Sequence, residues 1–153
     1  MEAEDPVLKR TLEWSLECNR RIREMVFGVS PFPKVRDSLK RLYPSCDIAI
    51  VSATAKEALR AEWQEHDLFQ YVRVLGAQED GTKRECIEAL GRHYKPGHVL
   101  MIGDAPGDME AAYANNALFY PIRPGEETAS WKAFYEADLE RFLSAVSYTH
   151  LTL

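Results

Sequence analysis

The chain has 153 residues, 19 basic and 24 acidic side chains, a formal net charge of −5 and 46% apolar residues, with a pI near 5.4. These are the values of one folded globular domain, and they exclude a disordered chain, a collagen-like repeat and a low-complexity segment. No apolar run is long enough to cross a bilayer, the acidic start is unlike a signal peptide, and no basic excess suits a nucleic-acid backbone, so a cytoplasmic protein acting on a small molecule is expected.

In chain order, Pro6 to about Phe27 places Leu8, Leu12, Leu16, Ile22 and Val26 at helical spacing among charged residues, which predicts a long amphipathic helix ended by Gly28. Pro31-Phe32-Pro33 turns the chain into a second helix, Lys34 to Leu42. Ile48 to Val51 is a short β-branched run of the kind buried on both faces of a parallel sheet. A helix from Ala55 to about Glu65 with Thr54 as its cap follows, then a strand at Tyr71–Leu75, a helix at Lys83–Tyr94 and a strand at Val99–Ile102. Pro106 opens a helix to about Ala114, Leu118–Tyr120 is a last strand, and Trp131 to Leu143 stripes a final helix. Strands alternating with helices predict an α/β fold with a doubly wound parallel sheet, whose ligands bind beyond the carboxyl ends of the strands.

Three groups fall at those ends. Ser52-Ala53-Thr54 offers hydroxyls and backbone N–H groups at a strand-to-helix turn, which suits either an anion or a plain helix cap. Asp104 and Asp108, four residues apart on a glycine-bracketed turn, could converge on a hard cation such as Mg²⁺ or cap the next helix. Lys83 opens a helix, where a cation opposes the dipole, so either a ligand anion or simple solvation explains it. Together these are the parts that hold a phosphoryl group and its magnesium. The cysteines Cys18, Cys46 and Cys86 lack metal-site spacing and read as reduced and structural. His66, His93 and His98 belong to no spaced constellation.

Ile48-Ala-Ile-Val-Ser52, Lys83 and Val99-Leu-Met-Ile-Gly-Asp-Ala-Pro-Gly-Asp108 resemble the second, third and fourth motifs of the haloacid dehalogenase-like hydrolases, in particular the magnesium-dependent phosphatases of phosphoglycolate-phosphatase type. The resemblance covers about Pro31 to Ala145. It implies a Rossmann-like core, a Mg²⁺ cofactor and a small phosphorylated metabolite as substrate, hydrolysed through an aspartyl-phosphate. It further implies that Ser52 hydrogen-bonds the phosphoryl group beside Ala53 and Thr54, that Lys83 neutralises nucleophile and phosphate, and that Asp104 and Asp108 serve the metal. The family's first motif, a DxD pair bearing the nucleophile, is absent, since no two aspartates here are separated by a single residue. The expectation is therefore a carboxyl-terminal part of a phosphatase, inactive alone: a remnant of a helical cap over residues 1–30, a core lacking its first strand over 31–145, and a tail, 146–153, similar to a translated sequencing adaptor. A non-catalytic phosphate- or metal-binding domain of the same fold is the alternative. A receiver domain shares the α/β pattern but needs an amino-terminal acidic pair and a central phospho-accepting aspartate, neither of which is visible.

Overall fold

The computed structural model describes residues 5–26 and 28–148. The chain divides into two units, residues 1–30 and 31–153. In the first, α1 (Pro6–Val26) starts where Asp5 Oδ1 accepts the Val7 N–H at 2.9 Å, with proline at the first helical position. Arg20 and Arg21 both reach Glu17, at 2.7 and 2.8 Å, and hold its carboxyl down at about 2. The apolar stripe of α1, including Leu8, Leu12, Leu16 and Ile22, is exposed. Gly28, at φ 82°, takes the left-handed conformation that terminates helices. The expected end of this helix at Phe27 lies outside the described residues.

The second unit is a layered α/β fold. Its elements are α2 (Val35–Leu42), β1 (Ala49–Val51), α3 (Lys56–Glu65), β2 (Val74–Gly76), α4 (Lys83–Gly91), β3 (Leu100–Gly103), α5 (Pro106–Ala114), β4 (Leu118–Pro121), α6 (Glu127–Ala133) and α7 (Leu139–Tyr148). A π-helical turn, Phe134–Asp138, joins α6 to α7. Several boundaries differ from those expected. Tyr71 closes a 3-10 turn and not a strand, with its N–H donated to the Leu68 carbonyl. α4 stops at Gly91 and not Tyr94, and the last helical stretch begins at Glu127, before its apolar stripe does. α7 runs on through Val146 to Tyr148, so the tail is helical as far as it is described, and residues 149–153 lie outside.

The strands are parallel, as the pattern demands, but they form two pairs. β1 pairs with β2 (Ala49 opposite Val74) and β3 with β4 (Leu100 opposite Leu118). Helices cover both pairs on both faces. On one face Leu42 of α2 and Phe134, Leu139 and Leu143 form a buried cluster that carries Ile48 from the first pair and Leu100, Ile102 and Tyr120 from the second. On the other, Ile87 of α4 with Ala111 and Ala112 of α5 packs on Val99, Met101 and Phe119, while α4 also contacts β1. Shared helical layers thus hold the two pairs side by side, although no hydrogen bond joins β1 to β3 among the described residues.

Candidate active site at the carboxyl edge of the strands

Ser52 follows β1 and stays in register, its N–H donating to the Gly76 carbonyl at 2.9 Å. The chain then turns tightly, and the Thr54 N–H donates to Ser52 Oγ at 3.1 Å. The hydroxyl uses one of its two lone pairs there, and its own proton has no acceptor among the described residues. Thr54 does not cap α3. The N-cap is Ala55, and the first helical N–H, that of Lys56, donates instead to the Glu79 carboxylate, at 3.1 and 3.2 Å to its two oxygens. An internal anion therefore occupies the α3 N-terminus, and the cradle expected from Ser52, Ala53 and Thr54 narrows to the Ser52 hydroxyl and the Ala53 N–H.

The loop after β2 is tied to that turn. Gln78 N donates to the Thr54 carbonyl at 3.1 Å, and Lys56 Nζ meets Asp80 at 2.9 Å. This ammonium, then the Ala77 N–H, hold the Asp80 carboxyl below the usual carboxylate range. Thr82 then caps α4. Its hydroxyl accepts from the Glu85 N–H at 3.2 Å, and Glu85 accepts from the Thr82 N–H at 2.8 Å. This reciprocal box places a carboxylate in the first turn and offsets the unfavourable position of Lys83 there.

Lys83 Nζ forms an ion pair with Asp108 Oδ1, the side chains being 32% and 3% exposed. Asp108 is the third residue of α5, and its other oxygen accepts the Ala105 N–H at 3.3 Å. Gly103 makes room for it: a Cβ on Gly103 would lie 2.7 Å from Asp108 Cβ. Asp104, just beyond β3, is exposed, and no hydrogen bond or ion pair engages its carboxylate among the described residues.

The structure thus brings Lys83 and Asp108 into contact, and links Ser52 to them through the loop of residues 76–83. Asp104 stands beside Asp108 on the same turn. Among the described residues no group of three His, Cys, Asp or Glu side chains surrounds a common point that could hold a metal. Asp104 fits a Mg²⁺ that keeps its waters and leans on a phosphate, because such ions need only one or two carboxylates. Asp108, almost wholly buried and with both oxygens committed, presents no open carboxylate to such an ion.

The sequence reading missed Glu79, Gly103 and the Thr82–Glu85 box. The last had a legible signal, a threonine three residues ahead of a glutamate at a helix start. Gly103 was visible as one bracket of the turn, though not what it makes room for, and Glu79 had no signal, since it acts on a residue distant in sequence. His66 is the C-cap of α3, at the far end of that helix from Ser52.

Parallel strands followed by helices, with Ser52, Lys83, Asp104 and Asp108 each just beyond a strand or at the start of a helix, define an α/β core of Rossmann-like design. Residues 9–120 match the sequence model of the family described as haloacid dehalogenase-like hydrolase, and the chain belongs to that family. The match begins within α1, well ahead of Pro31, and ends in β4; it includes Ser52, Lys83, Asp104 and Asp108. No curated protein and no solved structure matches the chain. Among the described residues no helix is long and apolar enough to cross a membrane.

Proposed function

We propose that this chain supplies the phosphate- and magnesium-binding half of a phosphomonoesterase site, and that the nucleophilic aspartate comes from a segment it does not contain. The observation that carries the reading is the pairing of half-buried Lys83 with buried Asp108, beside an unengaged Asp104, at the edge where Ser52 lies. A phosphate dianion seated there would accept the Ser52 O–H and Ala53 N–H and face the partly exposed ammonium of Lys83. Asp108 fixes that ammonium and limits its freedom, so the charge is in place before the anion arrives. Asp104 would hold Mg²⁺, which when bound neutralises phosphate charge and orients it for in-line attack.

The substrate class is a small phosphate monoester. With no DxD pair in the sequence, covalent capture of the phosphoryl group has no nucleophile here, and the chain alone is inactive. A non-catalytic domain that binds phosphate or metal is the second reading, favoured by that same absence.

The test has two arms. Inorganic phosphate with Mg²⁺ should shift the backbone amide resonances of Ser52, Ala53, Lys83 and Asp104, and Asp104→Asn should remove the Mg²⁺ dependence of the shifts. An aryl phosphate with Mg²⁺ should be hydrolysed at the background rate. Undisturbed resonances defeat the binding site, and fast hydrolysis that Asp104→Ala abolishes defeats the claim that the nucleophile lies elsewhere.

A further inference from the structure

β4 ends at a proline, Pro121, and a second, Pro124, follows three residues on, which steers Arg123 toward extended backbone. The register outlasts the strand, since the Ile122 N–H still donates to the Gly103 carbonyl at 2.7 Å. Arg123, one residue further, therefore leaves β4 alongside the turn that carries Asp104 beyond β3. Connections at such an edge are ordinarily solvated and mobile. This one is closed on itself. Ser130 of α6, 3% exposed, accepts the Arg123 N–H at 3.1 Å and donates its hydroxyl to the Glu126 carbonyl at 2.9 Å, while its own carbonyl accepts the Tyr120 hydroxyl at 2.9 Å. The Glu126 N–H donates to the Arg123 carbonyl at 2.9 Å, and Gly125, at φ 83°, gives its N–H to the Glu127 carboxylate at 2.9 Å.

The backbone of Arg123 is thus held by a buried serine while its side chain is 64% exposed. Among the described residues its guanidinium meets Glu126 Oε2, at 2.9 Å, and that carboxylate is itself 55% exposed. A solvated pair three residues apart holds weakly, and a guanidinium with five N–H donors keeps most of them for another acceptor. An anion that offers two oxygens in one plane matches that fork and shares or displaces such a partner. The position is also right. Neighbouring strands lie about 4.8 Å apart, so a long side chain rooted at the end of β4 spans the width of β3, where Asp104 stands and where Lys83 arrives from α4 to meet Asp108. A phosphate held at that turn leaves Arg123 within reach of whatever the phosphate carries.

We infer that Arg123 is a specificity-determining residue, its guanidinium taking a carboxylate at the end of the substrate remote from the phosphate. The inference rests on the phosphatase reading and narrows it, from any small phosphate monoester to one that carries a second, planar acid. Glu126 is the resident acceptor, which keeps the guanidinium aimed and yields it when the ligand arrives. Because Ser130 and the closed loop fix the backbone beforehand, only the side chain is ordered on binding, and little is lost in doing so. Lysine at this position would keep the charge and lose the two-point fit.

The experiment uses the whole chain with Mg²⁺ and two phosphonates, which cannot be hydrolysed, read by NMR titration. Phosphonopropionate and propylphosphonate differ in whether the chain remote from phosphorus ends in a carboxylate or a methyl group. The acid should bind about tenfold tighter and move the Arg123 Nε–H resonance as well as the Ser52 and Lys83 amides. Arg123→Met should abolish the preference and leave the affinity for propylphosphonate unchanged, and Arg123→Lys should keep a preference of about threefold. Glu126→Gln removes the competing charge and should widen the preference about twofold. Equal affinity for the two compounds in the wild type, or a preference that survives Arg123→Met, overturns the inference. Ser52 and Lys83 responding to both compounds while Arg123 responds to neither overturns it and leaves the phosphatase reading standing. Arg123 responding to the acid alone, with Ser52 and Lys83 silent throughout, sinks the phosphatase reading and keeps the carboxylate subsite.

Discussion

Gly103→Ala probes the contact that seats the ion pair. The new Cβ would stand 2.7 Å from Asp108 Cβ and 2.8 Å from its Cγ. Neither neighbour can swing aside, since Asp108 is only 2% exposed and lies in the first turn of α5, its N–H bonded to the Ala105 carbonyl at 3.0 Å. Overpacking of this kind costs about 1–3 kcal/mol. Replacing glycine within a strand returns about 0.5–1 kcal/mol through the unfolded chain. The net expectation, near the middle of these ranges, is a loss of about 1–2 kcal/mol, which at a mid-range urea slope of about 2 kcal/mol per molar lowers the unfolding midpoint by roughly 0.5–1 M. Gly107→Ala is the control in the same turn. A Cβ there meets nothing within 4 Å and no left-handed conformation is involved, so stability should rise, by up to about 1 kcal/mol. Urea unfolding followed by circular dichroism reads both. If Gly103→Ala matches or exceeds the wild-type midpoint, the crowding of Asp108 against the strand is not as described.

Lys83→Met leaves a buried carboxylate without its cation and should cost about 1–3 kcal/mol, while the double variant with Asp108→Asn should recover part of this. A coupling energy below about 0.5 kcal/mol in that cycle would show the pair to be independent. Thr82→Ala removes the side-chain cap of α4 and should cost about 1 kcal/mol, with exchange accelerating at the Glu85 amide first. Acid should destabilise the second unit. Asp80 is held low by Lys56 and then the Ala77 N–H, and Glu85 by the backbone N–H and then the hydroxyl of Thr82. Because the folded values lie below the unfolded ones, this stabilisation is complete above the usual carboxylate range, about 4, and is lost as pH falls through the lower folded values. A urea midpoint that stays level or rises from pH 5 to about 3 would contradict it. In α1 the Glu17 carboxyl should titrate at about 2 by NMR and move upward with added salt, as Arg20 and Arg21 are screened.

The order of elements was legible because each element writes its own local period. The alternation of short apolar bursts with amphipathic stretches placed β1, β3, β4, α2 and α5 close to where they lie. β2 was set early because Tyr71 and Val72 are apolar, yet they form a turn packed beneath α3. The positions of Ser52, Lys83, Asp104 and Asp108 were legible for a related reason: each sits where a strand ends or a helix begins, and such junctions show in the sequence. Thr54 was misread as a cap because the competing acceptor, Glu79, comes from a loop 23 residues beyond Lys56, whose N–H it takes.

By itself, then, the sequence determined the α/β alternation, the parallel strands and the residues that reach the carboxyl edge, since periodicity and junction chemistry are local properties. The tertiary structure alone decided that Asp108 spends both oxygens on Lys83 and the Ala105 N–H, that Gly103 is empty space kept for it, and that the sheet parts between β1 and β3. Those outcomes depend on which distant groups fill one another's hydrogen bonds and volume, and no local pattern of residues records that.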